Sequence, residues 1–250
     1  MPDTAADEKW GANMAQSYFI WKGRDCRSMG INLRGPVPIV RPEERVQHVA
    51  IPGRSGDLTQ TEGDNIYNSY IQTVDMSVQG GFRVREVYKW LRGEGYVTFS
   101  GEPDRRQKAR IIGAVTLTKI SRNMDRWAGT FQIYCEPLKE LLNHATTEIT
   151  SSGSTVVNAG DVKSRPKITA TASSTSMTIT KGGKTLTITG LTSSSQYIID
   201  CEAGMVTNAA GTENLTANST GDFPVLDVGS NTITGSGWSK LVFDRRERFL

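Results

Sequence analysis

The sequence predicts a mainly β protein: an N-terminal β-sandwich or barrel-like domain carrying one short helix, followed by a C-terminal antiparallel β-sandwich. Three observations lead there. Short apolar runs with strand alternation recur along the chain, only one stretch has a helical period, and the composition changes after Leu141. Residues 1–141 hold 20 Lys and Arg, 17 Asp and Glu and 14 of the 19 aromatics, whereas residues 142–250 hold 9 of each charge and 33 Ser and Thr. Such polar enrichment can accompany disorder, but these Ser and Thr alternate with Ile, Val, Leu and Met, the period of a half-buried strand.

In the first half the runs at 46–51, 70–78, 96–100, 109–120 and 127–135 read as strands. Between the second and third, residues 82–92 (FRVREVYKWLR) place Val84, Val87, Tyr88 and Leu91 at i, i+3, i+4 and i+7, an amphipathic helix stopped by Gly93. Glu136-Pro137 is expected to end the last strand, leaving 138–143 as the connector. In the second half, 176–190 (SMTITKGGKTLTITG) reads as a β-hairpin, with Gly182-Gly183 supplying the two positive-φ positions of a tight primed turn. Further strands are expected at 155–158, 167–171, 197–201, 205–208, 231–235 and 240–245, with no helix between them, which is the pattern of a sandwich or barrel.

Composition excludes several functions. The chain has 250 residues, 37% hydrophobic and 22% charged, and no apolar run approaches the roughly 20 residues that span a bilayer. Its first nine residues are polar and acidic where a secretory signal would be basic and then apolar, so neither membrane insertion nor signal-peptide export is expected. The net charge of +3 resides wholly in residues 1–141 and is too small for a dedicated nucleic-acid binder. Three widely spaced cysteines, Cys26, Cys135 and Cys201, read as small hydrophobes and not as a disulfide framework.

Reactive groups are sparse. The two histidines, His48 and His144, fall in different halves, and no Cys/His spacing resembles a zinc site. Nucleophile-elbow, phosphate-loop and dinucleotide fingerprints are absent from the sequence, so no catalytic residue, cofactor or metal is expected and the chain reads as a non-enzyme. Gly53-Arg54-Ser55-Gly56-Asp57 lacks the Lys-Ser/Thr of a phosphate loop and is better read as a structural turn. Glu43-Glu44 and Glu102 with Asp104 are the available carboxylate pairs, better read as solvated turn edges. Arg245, Arg246 and Arg248 suggest an edge strand paired in charge with Asp244 and Glu247. Trp238 is a candidate sugar-stacking contact, with core packing the simpler alternative.

Several motifs occur in an order that resembles a known family. They are FIWKGRDCRSMGI, with Gly23, Asp25 and Ser28 before Met29-Gly30; Ile51-Pro52-Gly53-Arg54-Ser55-Gly56-Asp57-Leu58; the helix ending Trp90-Leu91; Phe99-Ser100 with Glu102-Pro103; and Phe131 to Pro137 (FQIYCEP). In the second half come Val156-Val157-Asn158-Ala159-Gly160 with Arg165-Pro166-Lys167-Ile168, then Tyr197 to Asp200 with Gly204-Met205-Val206, then Phe223-Pro224-Val225-Leu226 before Gly229-Ser230-Asn231-Thr232-Ile233. Together they resemble the distal tail proteins of bacteriophages with long non-contractile tails, over most of residues 17–244. The polar leader, 1–16, departs from that pattern and reads as arm-like or disordered.

The resemblance implies a belt domain over 17–141, which forms a hexameric ring around the tail lumen, and a galectin-like sandwich over 142–250 that projects outward. It implies as partners further copies of the chain, the tail tube protein and the tail-associated hub protein, with a tape measure protein as a further candidate. DNA would pass through the bore without specific binding. The expected location is the virion tail tip, with assembly in the cytoplasm of the bacterial host. Pro52, Gly53, Arg54, Gly56 and Asp57 are the candidate inter-subunit loop, since the glycines permit close backbone approach and Arg54 can fork to a carboxylate. The alternative reading is a carbohydrate-binding module that recognises host-surface glycans through the second domain. Galectin-type sites need a cluster of His, Asn, Arg and Trp, and the one histidine of that half lies in its linker, so galactoside binding is not expected.

Overall fold

A computed structural model describes residues 17–61, 63, 66–120 and 123–250; the leader over 1–16 lies outside the described residues. The described chain separates into two compact units that divide between Lys139 and Glu140. Both are built from strands, as the alternation predicts, and no described helix is long and apolar enough to cross a membrane.

The first unit contains β1 (Phe19–Trp21), β2 (Arg24–Asp25), β3 (Ile31–Leu33), β4 (Val46–Val49), β5 (Leu58–Thr61), β6 (Tyr70–Gln79), α1 (Val84–Trp90), β7 (Glu94–Phe99), β8 (Arg105–Lys119) and β9 (Arg126–Leu141). One sheet runs in the order β2-β1-β7-β8-β9-β6-β3, and β4 and β5 form a separate two-stranded ribbon. The opening motif has a local explanation. Lys22 and Gly23 both have positive φ and turn β1 back on β2; Asp25 accepts from the Arg27 backbone N–H at 2.8 Å and so caps a short 3-10 turn; Ser28 donates to the Asp25 carbonyl; Gly30, at φ 69°, closes the turn into β3.

The core gathers one face of this sheet under α1. Phe19, Trp21, Met76, Phe131 and Ile133 are all buried, and Val84 and Val87 of the helix and Leu91 just after it pack in the same cluster. The Phe19 ring stacks on Trp90 with centroids 5.6 Å apart, and Trp21 Nε1 donates to the Trp90 carbonyl at 3.2 Å, tying sheet to helix. The helix is shorter than its 82–92 pattern. A 3-10 turn over Gly81–Arg83 precedes it, leaving Phe82 75% exposed, and Tyr88 is also exposed because a two-turn helix lays only a narrow stripe on the sheet. Asp125 accepts from the Gly81 N–H and from Trp127 Nε1, contacts that hold its carboxyl below the usual range and pin the start of that turn.

Pro137 does not end β9, which continues through the expected connector to Leu141. The register against β6 closes at Tyr70 opposite Cys135, so proline's missing N–H falls where β6 no longer asks for a ladder bond.

The second unit contains β10 (Thr146–Ile149), β11 (Ser154–Asn158), β12 (Lys167–Ala172), β13 (Ser176–Lys181), β14 (Lys184–Thr189), β15 (Gln196–Asp200), β16 (Met205–Asn208), β17 (Ser219–Gly221), β18 (Gly229–Ser236), β19 (Trp238–Asp244) and β20 (Arg248–Phe249). Two antiparallel sheets, β10-β19-β12-β15-β16 and β11-β18-β13-β14-β17, enclose a single apolar cluster. Alternation decides which residues enter it: Ile168, Ala170 and Ala172 from β12, Met177 and Ile179 from β13, Leu186 and Ile188 from β14. Gly182 and Gly183 have φ of 58° and 79°, and Lys181 pairs with Lys184, the predicted tight turn.

The basic C-terminal run pairs differently from the sequence expectation. Arg245 meets Glu247 at 3.2 Å, but Arg246 makes a two-pronged contact to Asp200 at 2.9 Å for each bond, and Arg248 reaches Glu202. Asp244 accepts instead from His144 and from the Arg246 backbone. The Arg246 backbone sits at φ 45°, a region unfavourable to non-glycine residues, and the bidentate pair holds it there. That pair also holds the Asp200 carboxyl below its ordinary 3.8. A depressed carboxylate contributes stability above its unfolded value and loses it as pH falls through the folded value. Asp200→Asn should therefore lower the urea midpoint of the second unit near neutral pH, and the difference from the parent should shrink as pH drops below about 4. A difference that stays constant down to about pH 2 would show that the pair carries no linked stability.

Candidate functional site

The ribbon of β4 and β5 is unlike the rest of the first unit. Its register runs Val46 to Thr61, Gln47 to Gln60, His48 to Thr59 and Val49 to Leu58, and none of these eight residues is buried. Its base is tied down by Arg45 N–H donating to the Ile66 carbonyl at 2.8 Å, Asn68 N–H to the Glu43 carbonyl at 2.7 Å, and Arg45 Nε to Asn68 Oδ1 at 3.1 Å. Farther out, Thr59 Oγ1 lies against His48 Nδ1 at 3.3 Å. An isolated two-stranded hairpin is marginal in water, and this one buries no apolar face of its own.

The candidate loop, Pro52, Gly53, Arg54, Gly56 and Asp57, forms the tip that joins the two strands, and every one of these residues is exposed. Arg54 N–H donates to the Ile51 carbonyl at 3.2 Å, and Gly53 and Gly56 have φ of 82° and 83°. A β-carbon at either glycine would meet nothing within 4 Å. Glycine is therefore required here by the left-handed backbone and not by any neighbour among the described residues. The Arg54 guanidinium forms no ion pair among the described residues. Val49, Ile51 and Leu58 project around the tip at 43%, 39% and 44% exposure. The site thus offers a cationic fork ringed by exposed aliphatics, the composition of a contact surface.

The other sequence candidates fall elsewhere. Trp238 is 8% exposed, packs in the core of the second unit and donates its indole N–H to the Thr178 carbonyl at 3.1 Å. That position is the one described by the core-packing alternative. Glu102 is held by Lys139 at 2.7 Å and Arg105 at 3.1 Å, with Asp104 3.9 Å from Arg105. The described residues contain no group of three His, Cys, Asp or Glu placed to hold a metal. All three cysteines are buried, and burial pushes the Cys135 and Cys201 thiols up to about 12, far from the reactive thiolate.

Sequence reasoning missed two polar features. Lys139 and Gln107 are buried beside Tyr70, whose hydroxyl donates to Gln107 Oε1, while Gln107 Nε2 donates to the Glu136 carbonyl. The signal was present in the alternation of β8, where Gln107 occupies an inward position in line with Ala109. The second is a groove at one end of the sandwich, assembled from four connections that no local pattern links.

No protein-family model matches the sequence, and no curated protein matches it. Among solved structures, the crystal structure of the SPP1 Dit protein superposes with a TM-score of 0.76 at 19% identity, covering 94% of this chain and 99% of that one. The chain has the Dit fold. SPP1 Dit is described as a paradigm of the hub adsorption apparatus in phages that infect Gram-positive bacteria. The likeness to Dit extends over both units, so the sheet with its helix and the five-on-five sandwich are parts of one shared architecture.

Proposed function

We propose that this protein is a structural, non-enzymatic component of a bacteriophage tail tip. In this reading residues 17–141 form a ring, hexameric as in the resembled family, that joins the tail tube to the hub and adsorption apparatus and leaves a bore for DNA. The second unit, 142–250, is the galectin-like domain. The Dit fold across 94% of the chain is the observation that carries this reading. The small net charge fits a lumen that lets DNA slide.

The ribbon tip is the inter-subunit contact in this proposal. A ring closed by rotation needs two different surfaces on each subunit, and a projecting hairpin with unburied aliphatics supplies one of them. Mixing the purified chain with the cognate tube and hub proteins and examining the product by negative-stain microscopy and native mass spectrometry tests the ring. Closed rings of defined stoichiometry are expected; a strict monomer in every mixture would sink the proposal. Ring closure can depend on the neighbouring proteins, so the mixture is the decisive sample. Arg54→Ala should weaken assembly by about tenfold, the size of a lost charged hydrogen bond, while the thermal transition stays unchanged. Assembly equal to the parent's would remove Arg54 from the interface.

A further inference from the structure

At one end of the second unit, the stretch before β12, the β13–β14 turn, the β15–β16 turn and the loop between β17 and β18 enclose a groove of about 630 Å3. That volume lies within the range of small-ligand sites, and loop clusters at the ends of sandwiches are common places for them. The walls are held in place. Asp200 Oδ1 accepts from the Glu202 and Ala203 backbone N–H groups at 3.1 Å each while its carboxylate clamps Arg246. Phe223, half-buried against the core, brings its ring to the Gly204 turn and leaves an aromatic surface on the groove.

The charges are distributed unevenly. Lys163 and Lys181 share the single carboxylate of Asp227, and Lys184 lies 3.6 Å from Asp222. Glu202 is neutralised from outside the groove by Arg246 and Arg248. Arg165 is exposed, lines the groove and makes no ion pair or hydrogen bond among the described residues. The groove therefore has an excess of positive charge, although the unit as a whole balances 9 basic against 9 acidic residues. A bare polyanion would meet Asp222 and Asp227 unfavourably. A polyhydroxylated ligand instead gives those carboxylates hydroxyl donors, while an oxyanion on the same molecule takes the guanidinium of Arg165. Phe223 suits the apolar face of a sugar ring.

We propose that this groove binds an anionic saccharide, a sugar or polyol carrying phosphate or carboxylate groups, with Arg165 as the anion contact. The proposal does not rest on the tail-tip reading, and binding is measured on the unassembled full-length chain. Isothermal calorimetry and amide NMR shifts would be recorded with a phosphodiester-linked glycerol trimer, a glucuronate-containing disaccharide, maltose and inorganic phosphate. Saturable binding of either anionic saccharide is expected, with shifts centred on Gly182, Gly204 and Phe223 and no binding of maltose. Which of the two binds separates phosphate from carboxylate recognition. Arg165→Ala and Lys184→Glu, both surface changes, should each weaken it by about tenfold or more. No binding of either anionic saccharide, equal binding of maltose, phosphate binding as tightly as the saccharides, or affinity untouched by both variants would each overturn the proposal. Ring assembly by Arg165→Ala should equal the parent's, so failure of the groove and failure of the ring are read independently.

Discussion

Trp21→Ala is expected to destabilise the first unit by about 3–5 kcal/mol, the range for deleting a fully buried aromatic. Trp21 is the largest of the fully buried side chains, and its indole joins β1 to the end of α1 through the Trp90 carbonyl. Truncation leaves a cavity beside Phe19 and removes one of the two donors to that carbonyl, leaving the Arg92 N–H at 2.9 Å. A domain of this size has about 5–15 kcal/mol in total, so the variant should approach unfolding at room temperature. Hydrogen exchange resolves the effect by unit. Amides of Met76, Phe131 and Ile133 should lose protection, while those of Ile168, Ile199 and Phe243 keep theirs. A urea-derived loss below about 1 kcal/mol would show that the sheet collapses onto the gap and that the tie to α1 is dispensable.

Glu102→Gln is expected to cost the first unit about 3 kcal/mol, the low end for removing one partner of a buried ion pair, because the Lys139 side chain is 6% exposed and the Glu102 side chain 21%. The variant leaves the Lys139 ammonium buried 2.7 Å from a neutral amide. Lys139→Met removes the charge itself and fills the same space with an apolar chain, so it should cost less than Glu102→Gln. That order, measured by urea unfolding of both variants, is the informative outcome. If Lys139→Met proves the more damaging, the ion pair contributes net stability and desolvation is the smaller effect.

Particular elements show what local chemistry could reveal. The β13–β14 hairpin was legible because two adjacent glycines and strict alternation leave one register in which Met177, Ile179, Leu186 and Ile188 share a face. The helix was legible as an element but not in its length. The helical reading takes in residues 82 and 83, yet the bonds of Gly80 and Gly81 to Asp125 hold the start of a 3-10 turn there, a contact across more than forty residues. The end of β9 was misread because Pro137 is a breaker only where a neighbour needs its N–H. The candidate tip could be located from its Gly, Pro and Arg spacing, but not its isolation: β5 (LTQT) has no buried face and so carries no alternation signal. Trp238 shows a different limit: the sequence leaves core packing and sugar contact both open, and only the structure shows Gly235 and Gly237, just before it, admitting the backbone of β13 against β18 and the turn beyond it.

By itself the sequence determined that the chain is built from strands with a single helix, and that its surplus charge lies in the first 141 residues while the second part is neutral and rich in Thr and Ser. Period, turn chemistry and composition act over a few residues, and they are read without knowing who the neighbours are. Only the tertiary structure decided that the Pro52 to Asp57 tip stands on an unburied ribbon, that Arg246 and Arg248 turn back to Asp200 and Glu202, and that four separate connections enclose a groove with an excess of positive charge. Those features depend on which residues far apart in the chain meet, and burial in a shared core, which no local pattern encodes, brings them together.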